Sequence, residues 1–220
     1  MKNIVDITIF LIIQFIFIVI VLIYLYQGGS ISHPNARCFV FYENYLNDLG
    51  RYNYYNGGIN PFSIFFTISL TMVGIGTGSF FYIISKFCHQ RSYFPLIFGA
   101  ISGAGLIGLS VFWSDITHDK HLFFGRLAYL SFFIATLGLN YCLKKQSFPR
   151  IYNLLLALNI LLFLFLILMF LIDSHIFHLN SEEKLHLTSV LQKFIIAVRM
   201  FVVINILLIL KKLNNRINIL

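Results

Sequence analysis

The sequence predicts an all-α transmembrane bundle of six helices, and three observations carry that prediction. Hydrophobic residues make up 59% of the 220 and charged residues 11%, against roughly 45–50% and 25% in a soluble domain. Six apolar runs are each long enough to cross about 30 Å of hydrocarbon at about 1.5 Å per residue. Lys and Arg also alternate in density from one connecting segment to the next, as they do in a polytopic membrane protein.

The spans fall near residues 4–26, 62–87, 94–114, 121–143, 151–172 and 187–210. No stretch is left over for a water-soluble unit, so residues 1–220 read as a single membrane domain. The first run follows Lys2 and is much longer than the core of a cleaved signal, which runs roughly 7–15 residues. It reads as an uncleaved anchor. One set of ends and loops holds Lys2, Lys86, Arg91, Lys144, Lys145, Arg150, Lys211, Lys212 and Arg216. The other holds Arg37, Arg51, Lys120 and Lys184. The positive-inside rule then places the N and C termini in the cytoplasm and the long loop 27–61 outside. The expected location is the cell membrane, as a multi-pass protein.

The net charge of +8 is scattered between apolar segments. Anionic lipid of the cytoplasmic leaflet is therefore the expected counter-surface, and nucleic acid is not an expected partner. Seven of eight acids (Glu43, Asp48, Asp115, Asp119, Asp173, Glu182, Glu183) fall outside, as do six of seven histidines (His33, His118, His121, His175, His178, His186). Cys38, Cys88 and Cys142 show no C-x-x-C spacing, so neither a disulfide framework nor a cysteine metal site is readable.

The third span carries Gly99, Ser102, Gly103, Gly105, Gly108 and Ser110, a small-residue pattern that lets helix backbones approach closely. That span is expected to be central. The Gly74–Gly78 run lies inside the second span and follows no strand, so packing outranks a phosphate loop. Within the outer loop, Tyr42, Tyr45, Leu46 and Leu49 fall at helical spacing and Gly50 supplies a stop. This predicts a short amphipathic helix lying at the outer interface, with Asn44, Asp48 and Arg51 on its polar side. The many tyrosines near span ends, Tyr24, Tyr26, Tyr52, Tyr54 and Tyr55, read as interfacial anchors.

The stretch Asn44-Tyr45-Leu46-Asn47-Asp48-Leu49-Gly50-Arg51, with Asn60-Pro61-Phe62-Ser63 heading the second span, resembles a family of six-span archaeal and bacterial membrane proteins, the domain of unknown function 998 family. That family is distantly similar to the Frag1/DRAM/Sfk1 group. Asp115, His121 and the Gln192-Lys193 pair continue the pattern, while Trp113-Ser114 stands where family members favour Pro. The resemblance implies six helices with both ends inside and assigns no activity. The Frag1-like relatives act in lipid or glycolipid handling, which points the ligand class toward lipid.

Three charges lie within spans, where each costs roughly 2.5–3.5 kcal/mol at mid-helix: Arg126, Lys193 and Arg199. Glu182, His186, Ser189 and Lys193 share one face of the last span, and Arg199 points elsewhere. A pocket formed by Asp115, His121, Arg126, His186 and Lys193, with Asp48 and Arg51 of the loop beside it, is the expected site. Its ligand would be a membrane lipid headgroup or small anion, with no cofactor. The competing reading is a metal-dependent membrane hydrolase acting on lipid at the outer leaflet, with zinc on His118, His121, His175 and His178, since imidazole and carboxylate suit that ion. A Ser114–His118–Asp115 triad is set aside, because near neighbours in one loop rarely reach triad geometry. A transporter is disfavoured, because no paired broken helices are visible.

Overall fold

The structure is a computed structural model that describes residues 2–86, 93–144, 148–173 and 179–217. Its helices are α1 (Lys2–Leu25), α2 (Ser63–Ser85), α3 (Tyr93–Val111), α4 (His118–Leu143), α5 (Pro149–Asp173) and α6 (Ser181–Ile217), and a 3-10 helix, the loop helix, covers Leu46–Gly50. All six long helices are apolar enough to cross a membrane, so the chain is a multi-pass membrane protein. Among the described residues, six crossings put the start of α1 and the end of α6 on one side, opposite the loop between α1 and α2. There the Asp6 carboxylate meets the Lys211 ammonium at 2.5 Å and ties α1 to α6.

Helix α6 begins six residues before the expected span. Asn180 and Glu183 form a reciprocal cap: the Glu183 amide donates to Asn180 Oδ1 (2.8 Å) and the Asn180 amide donates to Glu183 Oε2 (3.0 Å). Those polar first turns carry no hydropathy signal, so an apolar window starts too late.

Each helix packs on its neighbours in sequence, and α6 returns to α1, closing a ring. The α2/α3/α4 seams are made by missing side chains. A Cβ at Gly103 would lie 2.6 Å from the Gly74 carbonyl oxygen, one at Gly74 2.7 Å from that of Gly103, and one at Gly105 2.8 Å from the Ala128 nitrogen. The small-residue pattern of α3 is thus spent on two neighbours at once. Side-chain latches cross the same seams: Thr71 to Ser110 at 2.8 Å and Ser102 to the Ala128 carbonyl at 2.8 Å. The α4/α5 seam uses larger groups, with Thr136 donating to Asn159 at 2.6 Å and Phe133 stacked on Phe163.

The connection 26–62 departs from an interfacial amphipathic helix. Its one helix is a single 3-10 turn, and that turn is buried: Leu46, Asp48, Leu49 and Gly50 are all inside. Asn44 is fully buried as well. The loop sinks into the mouth of the ring and touches α1, α2 and α6. Gly50 permits the approach, because a Cβ there would lie 2.4 Å from the Phe66 ring of α2.

The glycine seams make a paired prediction. Gly103→Ala overlaps backbone and should cost about 1–3 kcal/mol. Gly78→Ala, which meets nothing within 4 Å, should be neutral or stabilising by up to about 1 kcal/mol. Thermal unfolding of the two variants in one detergent ranks them; equal melting temperatures would remove the close-packing account of α3.

Candidate functional site

The polar residues of the loop side converge on the loop itself. From α6, Lys193 Nζ donates to the Asn44 carbonyl (2.5 Å) and the Ser189 carbonyl (2.9 Å) and lies over the rings of Phe41 and Phe39. Ser189 donates to the Tyr42 carbonyl (2.5 Å), Gln192 Oε1 accepts from the Leu46 amide (3.0 Å), and the Tyr45 and Thr188 hydroxyls meet at 2.6 Å. From the α3–α4 side, Asp115 accepts from the amides of Tyr52 (3.0 Å) and Asn53 (2.8 Å). His121 pairs through Nδ1 with the Phe112 carbonyl (2.7 Å) and through Nε2 with the Asn47 amide (3.1 Å). Those partners assign the proton to Nδ1.

The loop supplies its own inner stitching. Asp48 accepts from Asn44 Nδ2 (3.1 Å), the Tyr45 amide (2.9 Å) and the Tyr55 hydroxyl (3.1 Å). Arg51 does not bridge to Asp48 directly. Its guanidinium covers the Tyr55 ring at 4.0 Å, while its Nε donates to the Asn53 carbonyl. Asn60 donates to the carbonyls of Leu49 and Arg51, both at 3.0 Å, and so clamps the turn to the head of α2. Glu43, 2% exposed, is bracketed by Ser30, which donates to it, by His33 Nδ1 at 3.0 Å, and by His186 Nε2 at 3.9 Å.

The expected single pocket is therefore corrected. Lys193, His186, His121, Asp115, Asp48 and Arg51 do face the loop side of the bundle, but among the described residues their contacts go to different parts of the loop and not to one another around a common pocket. Arg126 is exposed on α4 and takes no part. A long cation near the loop-side end of a span can carry its charge outward. The metal reading fares no better on geometry. His121 has both ring nitrogens engaged, His118 is exposed, and among the described residues no group of three or more His, Cys, Asp or Glu could hold an ion. His175 and His178 lie outside the described residues.

A cavity does exist, and it lies beneath the loop helix. Leu46 and Asn47 roof it, while α1, α2, α3, α4 and α6 wall it with side chains such as Phe15, Val73, Leu106 and Ile196. It is open on one side, so its space is continuous with the outside of the ring. Near the midpoints of their helices, Thr77, Tyr129 and Arg199 supply its deep polar groups.

Arg199 lies on a different face of α6 from Lys193, yet it is only 8% exposed and lines this cavity. Its guanidinium stacks on Phe132 at 3.7 Å and makes one long hydrogen bond, 3.4 Å, to Thr77. No carboxylate among the described residues pairs with it, and most of its five donors are uncommitted.

No family model, curated protein or solved structure matches this chain.

The electrostatics of the loop give a test of its docking. Burial pushes the Glu43 carboxyl up, but the hydrogen bonds from Ser30 and His33 outweigh it and hold the group below its ordinary 4.5. A carboxylate depressed in this way stabilises the fold above its unfolded value, and that contribution is lost as pH falls through the folded value. Loop-side stability should hold from neutral pH down to about 4.5 and fall below it. In Glu43→Gln this acid-side loss should disappear, along with part of the stability at pH 7. Melting temperature against pH reads both effects. Asp48 is the opposite case, since burial raises its carboxyl despite three donors. Asp48→Asn should thus be tolerated at pH 7, whereas Asp48→Ala strands those donors and should cost about 1–3 kcal/mol.

Proposed function

We propose that the protein is a membrane-embedded binder of an anionic lipid-type ligand, held in the cavity within the helix ring with Arg199 as its cation. The observation that carries this reading is a guanidinium near mid-membrane, buried, lying over the rings of Phe132 and Tyr129 and lacking a described carboxylate. A charge at that depth costs roughly 2.5–3.5 kcal/mol on insertion scales, and Thr77 alone does little to offset it. An anion seated in the cavity supplies what the protein leaves out. The walls are apolar, so the ligand carries hydrocarbon as well as charge.

The loop faces the cell exterior in this reading, because the nine Lys and Arg of the opposite ends and loops belong in the cytoplasm. The docked loop forms the outward roof of the cavity, and its moorings to α4 and α6 set how the roof sits. Asp115, His121, His186 and Lys193 thus serve the site by positioning the loop and do not touch the ligand.

Two measurements test the proposal. In cells expressing a variant with Cys88 and Cys142 replaced by Ala, an impermeant maleimide should label the exposed Cys38 without permeabilisation; labelling only after lysis would reverse the orientation. Protein purified from membranes of mixed lipid should retain anionic over zwitterionic lipid, and Arg199→Gln should reduce that preference by about 10- to 100-fold, the worth of a charged hydrogen-bonded pair. An unchanged preference in Arg199→Gln would assign Arg199 to helix register and end the binding proposal.

A further inference from the structure

We infer that the ligand is a single-chain amphiphile ending in one carboxylate, lying with its head on Arg199 and its tail along the apolar wall toward Leu46. The inference rests on the proposed anion site and goes on to specify the chemistry that fits it.

The polar groups are few and placed at one end. Arg199 is the single charge in the lining, Thr77 and Tyr129 are the neutral groups beside it, and Asn47 is in the roof. A phosphate diester with its glycerol esters, or a sugar headgroup, brings more acceptors and donors than three side chains can meet, and each one left unmet in a dry site is costly. A carboxylate brings two oxygens and one charge. The planar guanidinium fork matches it bidentately, and the Phe132 ring lies 3.7 Å from the guanidinium carbon.

Depth argues the same way. A bilayer phospholipid keeps its phosphate at the interface, about 15 Å from the midplane of a 30 Å core. Arg199 is the midpoint of α6 and meets Thr77 and Tyr129 near the middle of α2 and α4. To reach it, a phospholipid would have to draw its headgroup and two chains into one narrow chamber. A single chain needs room for itself alone. The remaining lining is a run of Leu and Val with Ile12, Phe15 and Met200, all suited to methylenes.

The experiment is a ligand series on the wild-type full chain in phosphatidylcholine nanodiscs, with retention of labelled palmitate, hexadecanol, octanoate and dioleoyl phosphatidylglycerol measured. Palmitate should bind at least about tenfold more tightly than hexadecanol, which tests the charge, and than octanoate, which tests the chain. In Arg199→Gln the palmitate-to-hexadecanol ratio should fall to about 1 if the carboxylate sits on the guanidinium. Equal binding of palmitate and hexadecanol by the wild type would overturn the carboxylate assignment. Arg199-dependent retention of phosphatidylglycerol without palmitate would overturn the single-chain inference while leaving the anion site standing. Binding of neither would overturn both. The wild-type series decides the matter even if the variant does not fold.

Discussion

Hydrocarbon offers no hydrogen bonds, so each polar side chain carried into a span must find its partner elsewhere in the protein. Lys193 shows what that constraint does to the fold. Its ammonium takes the Ser189 carbonyl from its own helix and the Asn44 carbonyl from the loop, and the faces of Phe41 and Phe39 cover it. An ammonium at that depth holds a loop carbonyl inside the ring, and the loop must follow. Once inside, the loop's own amides need acceptors. Asp48, Asn44 and Asn60 provide them or tie neighbouring carbonyls, and the loop helix becomes a single tight turn with no exposed polar face.

The ring is built unevenly, and the unevenness leaves room at its centre. The α2/α3/α4 seams rest on backbone contact through Gly74, Gly103 and Gly105, a geometry with little freedom to slide. The α4/α5 seam rests on larger side chains, such as Tyr129 against Phe165 and Thr136 against Asn159. Across the ring, Arg199 of α6 reaches Thr77 of α2 and Phe132 of α4. Where two helices are bridged by one extended side chain, the space beside that chain is open, and the cavity occupies it.

Much of this was legible in the sequence because a membrane imposes coarse, one-dimensional rules. Span number follows from hydropathy, and the close approach of α3 to its neighbours follows from Gly99 and Gly103. The start of α6 was not legible in an apolar window, although Asn180 and Glu183 carry the capping spacing that marks it. The loop was misread for a different reason. Tyr42, Tyr45, Leu46 and Leu49 do alternate with polar residues, but a period cannot say whether Asn44 and Asp48 face water or one another. They face one another at 3.1 Å. The candidate site residues other than Arg126 lie on the loop side of the bundle, but the loop between them takes their hydrogen bonds and keeps them apart. Arg126 was chosen for its charge and lies on the exposed face of α4.

The contrast between Arg199 and Lys193 explains both residues. A helix in a bundle is surrounded by different neighbours at different depths. Two residues on different faces of α6 can therefore both point inward, Lys193 toward the loop and Arg199 toward α2 and α4. An ammonium is a compact charge that backbone carbonyls can satisfy, and the loop brings one to Lys193. A guanidinium is a flat fork made for a planar anion. Here it is oriented by Phe132 and touched by one hydroxyl. Had position 199 served only to latch α6 to Thr77, a glutamine amide could do so without carrying a charge into the membrane. The arginine adds a charge and several unused donors facing an apolar chamber, and that surplus is what an acidic amphiphile would engage.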